Sequence, residues 1–401
     1  MDTGRRVRYI SASARLPPPG QAATSGSRHP VRQLEPLRGL QFLFGSLCST
    51  LVQRAPWVEL PTTVLAPSRS IDHMRAVVLK SYGGPEVLTI REVPDPTPGP
   101  TEVVVDIAAT ALNRADLLQR RGLYPGPSMD HEIPGMEYAG SVREVGKRVH
   151  QLAVGDRVMG IVGGGAYAEA IAVDERQVMA VPDAVGLPAA AAIPEAFLTA
   201  FDALVVQGGL TSGRWAFIHA GASGVGTAGI QIAKAIGARV IVTASETKLE
   251  ACSALGADLV IDYRNDDVVA RTKQATGPVG VHTVLDVVGA DTLAANLKIA
   301  AIGARIIQVG TMGGGSGDIN LGALMMKRVA LIGTVLRSRP AEEKATLTQR
   351  VATELLPMFD SGLLKPVIDT TFAVEDIAAA HEHMEANANV GKVLITIGPG
   401  A

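Results

Sequence analysis

The chain has 401 residues, 43 of them glycine, with 47% hydrophobic and 4% aromatic residues and a formal net charge of −2. This length is too great for one ordinary core and predicts two domains, and the near-zero charge argues against nucleic acid or a membrane surface as a partner. We expect no membrane span, because we see no run of about 18 apolar residues. The two cysteines, Cys48 and Cys252, exclude a disulfide framework and predict a reducing, cytoplasmic location.

Residues 1–73 differ in composition from the rest of the chain. They contain nine arginines and no lysine, and their Pro-, Ser- and Gly-rich stretch at 15–30 is typical of disorder. Two interpretations stay open: an organellar transit peptide, or a segment upstream of a natural start at Met74. We favour the second, and with either we expect a poorly ordered extension.

Beginning at Met74, short strand-like runs alternate with Pro/Gly turns, which is typical of an antiparallel β domain. Further runs of this kind lie at 138–146, 156–162 and 166–173. An apolar stretch at 190–205 then reads as helical. We predict a first domain over residues 74–195, to which residues 338–401 return with mixed strand and helix.

Regular alternation of strand and helix follows over residues 196–337. Strand-like runs fall at 215–220, 239–244, 259–263, 282–287, 304–309 and 329–335. Strands separated by helices in this way predict a doubly wound parallel sheet, the Rossmann type of dinucleotide-binding domain.

The first of these strands ends in a glycine turn. Gly221, Gly224 and Gly226 lie between the strand and a helical run that ends at Gly237. Glycines let the backbone approach a pyrophosphate, and the helix N-terminus offers unpaired N–H groups and the positive end of a dipole. We therefore predict dinucleotide binding rather than a turn that binds nothing. The expected contacts are Ala222, Ser223, Gly224, Val225 and Gly226.

The end of the second strand indicates which dinucleotide is bound. An NAD site usually places Asp or Glu there, about 20 residues after the first glycine, to accept from the ribose 2′-OH. Here residues 243–245 are small and uncharged, and a 2′-phosphate needs cations and hydroxyl donors instead. We predict NADPH, with an inward-turned Glu246 as the feature that would favour NADH. The expected 2′-phosphate contacts are Ser245, Lys248, Tyr263 and Arg264.

Longer motifs extend the glycine turn into a pattern that covers most of the chain. They lie at 111–127, 133–146, 190–204, 219–238, 334–339 and 384–395. On these motifs the chain, from Met74 to Ile397, resembles the zinc-independent medium-chain dehydrogenase/reductases of the quinone oxidoreductase family. The glycine motif of that family, Ala-x-x-Gly-x-x-Gly, here runs Ala220, Ser223 and Gly226, with serine in the middle place.

The resemblance implies a fold and several further contacts. The fold is α/β, with a GroES-like antiparallel β catalytic domain and a Rossmann doubly wound parallel sheet, and the assembly is a homodimer. The resemblance also implies that six residues contact the nicotinamide half of NADPH. These residues are Thr199, Val309, Gly310, Leu336, Arg337 and Asn389.

The zinc ligands of related dehydrogenases are not found in this sequence. A catalytic zinc there needs a Cys and the His of a Gly-His-Glu triplet, and a structural zinc needs four clustered Cys. The matching triplet here is Gly135-Met136-Glu137, and the Cys position falls in the stretch 112–116. The sequence therefore predicts a site without metal.

Without a metal to ionise an alcohol, reduction of an activated carbonyl is the favoured chemistry. Negative charge that builds on a carbonyl oxygen can be stabilised by hydrogen-bond donors, while the cofactor carries the redox step. Tyr124 is the candidate donor, and Asn113 could orient a carbonyl or the nicotinamide ribose. Asp116 is either catalytic or structural, and we expect Glu137 to be a buried structural carboxylate.

Three functional classes stay open. The leading one is NADPH-dependent reduction of quinones, which the resemblance implies to proceed by one-electron steps. The second is NADPH-dependent reduction of α,β-unsaturated carbonyls in the same site. The third is a non-catalytic structural or RNA-binding role, which the near-neutral charge disfavours. The expected partner is a quinone or another small activated carbonyl compound, and neither nucleic acid nor a membrane.

Overall fold

The computed structural model describes residues 73–124, 126 and 130–398, all within one compact unit of the chain. The predicted extension, residues 1–73, lies outside the described residues apart from His73. Both interpretations of that extension therefore stay predictions.

The described residues form strands and helices in an order that separates two kinds of sheet. The strands are β1 His73–Leu79, β2 Leu88–Pro94, β3 Glu102–Ala111, β4 Glu137–Val145, β5 Arg157–Ile161, β6 Ala170–Asp174, β7 Val178–Ala180, β8 Trp215–Ile218, β9 Arg239–Ala244, β10 Leu259–Asp262, β11 Val281–Asp286, β12 Ala300–Gln308, β13 Ala330–Gly333, β14 Ile368–Ala373 and β15 Lys392–Thr396. The α-helices are α1 Arg114–Arg120, α2 Leu187–Ala190, α3 Pro194–Phe201, α4 Gly224–Ala235, α5 Leu249–Ala254, α6 Val268–Thr276, α7 Ala290–Ile299, α8 Leu321–Lys327, α9 Ala341–Glu354, α10 Leu356–Asp360 and α11 Ile377–Glu385.

The first sheet is mostly antiparallel and is built from both ends of the described chain. Its strand order is β14-β15-β3-β4-β5-β7, with β6 also paired to β3, while β1 and β2 form a separate pair. The C-terminal strand β15 pairs antiparallel with β3, with Leu394 opposite Ala111. This register brings Lys392, the first residue of β15, beside the residues that follow β3.

The second sheet is parallel throughout and has the order β10-β9-β8-β11-β12-β13. Numbered along the chain, this is the 3-2-1-4-5-6 order of a Rossmann sheet, in which ligands bind where the order reverses. The reversal lies between β8 and β11, and the glycine turn directly follows β8. The predicted six-stranded doubly wound sheet is confirmed, with strand ends that differ from the prediction by a few residues.

A long apolar helical stretch packs in the core between the two sheets. Leu187–Gln207 includes α2, α3 and a π-helical turn at Asp202–Gln207. Among the described residues it is the one stretch with the length and composition of a membrane span, and 78% of its apolar window is buried inside the protein. The expectation that no stretch would reach this length was therefore wrong. The reason is that this core helix has many alanines and only two charged residues, Glu195 and Asp202, so its mean hydropathy stays high.

One hydrophobic core joins the two sheets. It contains Ala109 and Met159 from the antiparallel sheet, Phe197 from α3, and Ile218 and Leu285 from the parallel sheet. Because both sheets pack on α3, the ends of the parallel strands are held at a fixed position relative to the ends of the antiparallel strands. The domain boundaries that we drew from the sequence stay predictions.

Candidate cofactor and acceptor site

The glycine turn is held in a shape that leaves no room for side chains. Ala220 has a φ of +53°, and a Cβ on Gly226 would lie 2.3 Å from the carbonyl oxygen of Ala220. Ser223 is the N-cap of α4, where its Oγ accepts from the N–H of Gly226 at 3.0 Å. The serine in the middle place of the motif thus caps the helix, and the backbone in front of α4 stays open to an anion.

The turn also contacts the beginning of β15. The N–H of Gly391 donates to the carbonyl oxygen of Ala222 at 2.8 Å, and a Cβ on Gly224 would lie 2.5 Å from Cδ of Lys392. Val225 is partly buried in the first turn of α4. The predicted pyrophosphate contacts therefore lie in one continuous turn that is packed against the other sheet.

Lys248 ends a 3-10 turn after β9 and bridges to the segment that precedes β15 of the antiparallel sheet. Its Nζ donates to the backbone carbonyl oxygens of Asn387 and Asn389, each at 2.7 Å. An ammonium group has three donors, so one remains beyond these two bonds. Partial burial lowers the pKa of Lys248. Nearby, Ala244 is buried, Ser245 is half-buried and Glu246 is exposed.

The other two predicted 2′-phosphate contacts follow β10. Tyr263 and Arg264 are exposed, and the guanidinium lies 5.5 Å from the centre of the tyrosine ring. The N–H of Tyr263 donates to the carbonyl oxygen of Ala244 at 3.3 Å, so the ends of β9 and β10 lie side by side. The carboxylate of Asp262 points elsewhere: it is buried and accepts from the N–H of Arg264 and the side chain of Asn265.

The nicotinamide contacts implied by the resemblance lie on α3, directly after β12, after β13 and before β15. The N–H groups of Val309 and Gly310 donate to the carbonyl oxygen of Asp286 at 2.7 and 3.4 Å. Thr199 is buried on α3, and Leu336 and Asn389 are also buried. Asn389 donates through its side chain to the carbonyl oxygen of Gly391.

A buried polar chain beneath these strand ends was missed from the sequence. The Asp286 carboxylate accepts from the N–H groups of Val288 and Gly289 at 2.6 and 2.9 Å. Its other oxygen accepts from the side chain of Asn296 at 2.6 Å, and Asn296 pairs with His219 at 2.8 Å. Burial lowers the pKa of His219. The available signal in the sequence was one polar residue within each of two apolar strand-like runs, His219 in 215–220 and Asp286 in 282–287.

Arg337 holds Tyr124 in place. The guanidinium lies 5.0 Å from the centre of the Tyr124 ring and donates to the carbonyl oxygens of Gly163 and Tyr124 and to the side chain of Gln119. In the part of the chain that the structure describes, the Tyr124 hydroxyl has no hydrogen-bond partner. Burial, and then the nearby carboxyl of Glu195, raise the pKa of Tyr124. The phenol therefore stays protonated and can donate.

The segment that carries Arg337 is itself fixed by a buried carboxylate. Arg339 donates twice to Asp202, at 3.1 and 2.6 Å, and Thr334 donates to the same carboxylate at 3.0 Å. Asp202 is buried and begins the π-helical turn after α3. Turns of this kind occur often at functional sites.

Beside Tyr124 lies a group of polar residues that we call the polar floor: Asn113, Asp116, Glu137, Glu195 and Lys392. Glu137 is fully buried, and its Oε1 accepts from Lys392 and from the Asn113 side chain at 2.8 Å each. Its Oε2 accepts from the backbone N–H of Glu195 at 2.8 Å. The expected structural role of Glu137 is consistent with these contacts.

Lys392 is the cation of the polar floor. It is buried, and besides Glu137 it donates to the carbonyl oxygen of Leu112 and to Oδ1 of Asn113 at 2.6 Å each. Its three donors are thus matched by three oxygens. Asn113 also donates to the carbonyl oxygen of Ala111 at 3.2 Å, so both ends of its amide are already engaged.

Asp116 is the fully buried carboxylate of the polar floor on α1. It accepts from the N–H of Asn113 at 2.8 Å, from the Tyr167 hydroxyl at 3.2 Å and from the N–H of Gly135 at 3.3 Å. Burial raises the pKa of Asp116 to about 6, against these hydrogen bonds. Asn113 and Asp116 stay predictions as catalytic groups, and their observed contacts are those of positioning residues.

Zinc does not fit the polar floor. Met136 stands in place of the zinc-binding histidine, and the ammonium of Lys392 already lies 2.8 Å from Glu137. Within the described ranges, no three His, Cys, Asp or Glu side chains are grouped as metal ligands. Lys392 and Glu195 were both missed from the sequence. The signal for Glu195 was a lone charge in the apolar stretch 187–201.

Two family profiles match the chain. The profile for the alcohol dehydrogenase GroES-like domain matches residues 99–183, and the one described as zinc-binding dehydrogenase matches residues 224–353. The second begins inside the glycine turn. The two matches thus fall on the antiparallel sheet and on the parallel sheet respectively.

Relatives match over almost their whole length. The quinone oxidoreductase of Pseudomonas aeruginosa is 33% identical, over 80% of this chain and 99% of its own. The synaptic vesicle membrane protein VAT-1 homolog of Rattus norvegicus is 31% identical, over 81% of this chain and 85% of its own.

Solved structures show the same fold. The Escherichia coli quinone oxidoreductase complexed with NADPH is 30% identical, with a TM-score of 0.72 over 81% of this chain and 99% of its own. The CurK enoyl reductase is 27% identical, with a TM-score of 0.73 over 82% of this chain and 100% of its own. Together with its fold, these matches establish that the chain belongs to the medium-chain dehydrogenase/reductase family, among the relatives of the quinone oxidoreductases.

Proposed function

We propose that this oxidoreductase reduces quinones with NADPH. The observation that carries the proposal is the meeting of two features at one junction. A glycine turn without an acid at the next strand end packs on Lys392 of the polar floor, and Arg337 holds the ring of Tyr124, which lies within electrostatic reach of Glu195 of the same floor. Relatives named quinone oxidoreductases, one of them complexed with NADPH, support the same assignment.

The residues around the glycine turn fit NADPH. Gly226 lets the start of α4 pack directly on the backbone of Ala220 and Gly221, where a Cβ would lie 2.3 Å from the carbonyl oxygen of Ala220, and close packing of this kind is what the last glycine of a pyrophosphate-binding turn provides. Ser245, Lys248, Tyr263 and Arg264 supply hydroxyls and cations for a 2′-phosphate. Thr199, Val309, Gly310, Leu336, Arg337 and Asn389 would hold the nicotinamide half. Bound NADPH would supply the reducing electrons.

The chain's own contribution is to orient the acceptor and stabilise charge on its oxygen. The protonated Tyr124 hydroxyl can donate to that oxygen, and Arg337 fixes the ring so that little reorganisation is needed. The ammonium of Lys392 has its donors engaged, so it sets the electrostatics of the floor rather than contacting the acceptor. We propose that the reaction proceeds without zinc.

Reduction of α,β-unsaturated carbonyls is the second candidate, and the CurK enoyl reductase neighbour favours it. NADPH oxidation should be followed with o-quinones, p-quinones and 2-alkenals at matched concentrations. We expect the highest kcat/KM with a quinone. Turnover of 2-alkenals alone would assign the second function, and no turnover with any acceptor would leave a non-catalytic role.

We also propose a homodimer that forms through the outer edge of the parallel sheet. The edge strand β13 and the neighbouring α8 expose Leu331, Leu321, Met325 and Met326, at 42%, 66%, 69% and 74%. An open strand edge beside apolar side chains suits pairing with a second copy about a twofold axis. Leu331→Lys should shift sedimentation equilibrium from dimer to monomer, and a monomeric wild-type protein would contradict the proposal. The cytoplasmic location stays a prediction.

A further inference from the structure

Two cations from different parts of the fold meet at one exposed asparagine before β15. The Arg114 guanidinium, at the start of α1, donates to the side-chain oxygen of Asn387 at 2.6 Å. The Lys248 ammonium, after β9, donates to the backbone oxygen of the same residue at 2.7 Å. Asn387 has a φ of +53°, a left-handed conformation that asparagine adopts more readily than most residues. One residue thus holds two positive charges close together, and we call Arg114 and Lys248 the cation pair.

The cation pair has hydrogen-bond donors that the protein does not use. An ammonium has three N–H donors and a guanidinium has five. Lys248 uses two of its donors, on Asn387 and Asn389, and Arg114 uses one within the part of the chain that the structure describes. Asn387 is exposed and both cationic side chains are only partly buried. The unused donors therefore lie where a ligand can approach from solvent.

The carboxylates near the cation pair are engaged with other groups. Glu385 accepts from Arg121 at 2.6 Å and also from the buried Arg120. Asp369 accepts from His383 at 2.7 Å. Burial lowers the pKa of Lys248 most, and repulsion from Arg114 lowers it further, against Asp369. Among the described residues, neither member of the cation pair has a carboxylate at ion-pair distance, so an anion that binds there would relieve the repulsion.

We propose that Arg114 is a second cation of the 2′-phosphate site and that, with Lys248, it selects NADPH over NADH. This inference rests on the use of NADPH in the proposed function, and not on the identity of the acceptor. Lys248 follows β9, the strand whose end faces the adenosine ribose in a Rossmann domain, so the anion is the phosphate on that ribose. Its oxygens can accept from both side chains at once, two from the guanidinium fork and one from the ammonium.

The site can be measured without turnover, by two nucleotides that differ only in the 2′-phosphate. Titration calorimetry of the full chain should give a lower Kd for adenosine 2′,5′-bisphosphate than for 5′-AMP. Arg114→Gln should raise the Kd of the bisphosphate by on the order of tenfold, as for loss of a charge-assisted hydrogen bond, and leave that of 5′-AMP nearly unchanged. Because Arg114 is only partly buried and makes one hydrogen bond, the variant should keep its melting temperature within a few degrees.

Arg121→Gln is the matched charge control. Arg121 directly follows α1, and repulsion from it, after burial, lowers the pKa of Arg114. Its guanidinium is already paired with Glu385, so Arg121→Gln should keep the preference for the bisphosphate. An equal loss of affinity in Arg121→Gln and Arg114→Gln would overturn the inference, because only the summed positive charge of this region would then matter.

A further variant separates phosphate binding from the contact between Arg114 and Asn387. Asn387→Gly removes the side-chain oxygen that Arg114 contacts and keeps the backbone oxygen that Lys248 contacts. Glycine also tolerates the φ of +53° at this position. Asn387→Gly should therefore keep the preference for the bisphosphate. A loss as large as that in Arg114→Gln would overturn the inference, because Arg114 would then act only by holding the segment before β15.

The closing experiment compares these affinities with NADPH oxidation by a p-quinone. A wild-type protein that binds both nucleotides equally removes the use of NADPH and the inference with it. A wild-type preference that persists in Arg114→Gln removes only Arg114 from the site. A preference that is lost in Arg114→Gln, in a wild-type protein that reduces no quinone, supports the inference and removes the proposed acceptor.

Discussion

The glycine turn and the polar floor meet at Lys392, yet they hold their shapes by different means. The turn is contiguous in sequence, over residues 220–226, and depends on backbone that has no room for a Cβ. The floor consists of single side chains from distant segments, and it depends on buried groups of opposite charge that pair with one another. The turn should therefore be sensitive to added atoms, and the floor to removal of one charge.

The largest effect is expected in the floor. Lys392→Met leaves the fully buried Glu137 without its ammonium partner, and breaking a buried pair in this way costs about 3–5 kcal/mol in free energy of unfolding. Urea unfolding should show this loss. The double variant Lys392→Met with Glu137→Gln should recover much of it, because no unpaired charge remains.

An exposed ion pair gives the control for this prediction. Arg350 and Glu354 pair at 2.6 Å on the outer side of α9, and such pairs contribute about 0.5 kcal/mol or less. Glu354→Gln should therefore be nearly neutral. If Lys392→Met loses no more free energy of unfolding than Glu354→Gln, the floor is not stabilised by its buried ion pair.

The second prediction concerns Tyr124, at the junction of the two regions. Tyr124→Phe should lower enone turnover on the order of 10²-fold, the effect of losing one donor to a developing oxyanion. Quinones spread the charge over a conjugated ring, so we expect a smaller loss with them. Turnover at saturating NADPH with one acceptor of each kind measures both. Chelators should leave activity intact, and unchanged turnover with both acceptors would remove Tyr124 from the mechanism.

The third prediction concerns cofactor choice at the glycine turn. Lys248→Ala should weaken NADPH binding by about 1–3 kcal/mol, the scale of a charge-assisted hydrogen bond, and NADH binding much less. The bonds from Lys248 to Asn387 and Asn389 are lost for both cofactors, so the difference between the two affinities reports the 2′-phosphate.

A charge-matched control sharpens this comparison. Lys234 pairs with Asp258 at 3.0 Å near the end of α4, and Lys234→Ala should leave the NADPH-to-NADH ratio unchanged. Equal losses for the two cofactors in Lys248→Ala would show that this lysine only bridges the sheets.

The smallest effect is expected inside the turn. Ser223→Ala removes the acceptor for the N–H of Gly226, and loss of such an N-cap costs about 1 kcal/mol in free energy of unfolding. Ser223→Gly should lower the free energy of unfolding by only a few tenths of a kcal/mol. A glycine variant less stable than the alanine variant would show that the hydroxyl does not cap α4.

The sequence by itself determined the parallel sheet and the glycine turn, because their signals are local. Apolar runs of strand length, the glycines after the first strand and the uncharged residues at 243–245 each depend on near neighbours in the chain. The family motifs added Tyr124 and Arg337 as site residues. The sequence did not show that Arg337 fixes the tyrosine ring.

Only the tertiary structure decided which charges share the polar floor. Lys392 donates to Leu112, 280 positions away, because β15 pairs with β3 in one particular register. The pKa of Glu195 depends on burial and on Glu137 and Lys392, which reach it from other strands. A charge has no fixed energetic role until its partners and its exposure to water are set. Those are properties of how distant segments pack, which no local pattern in the sequence carries.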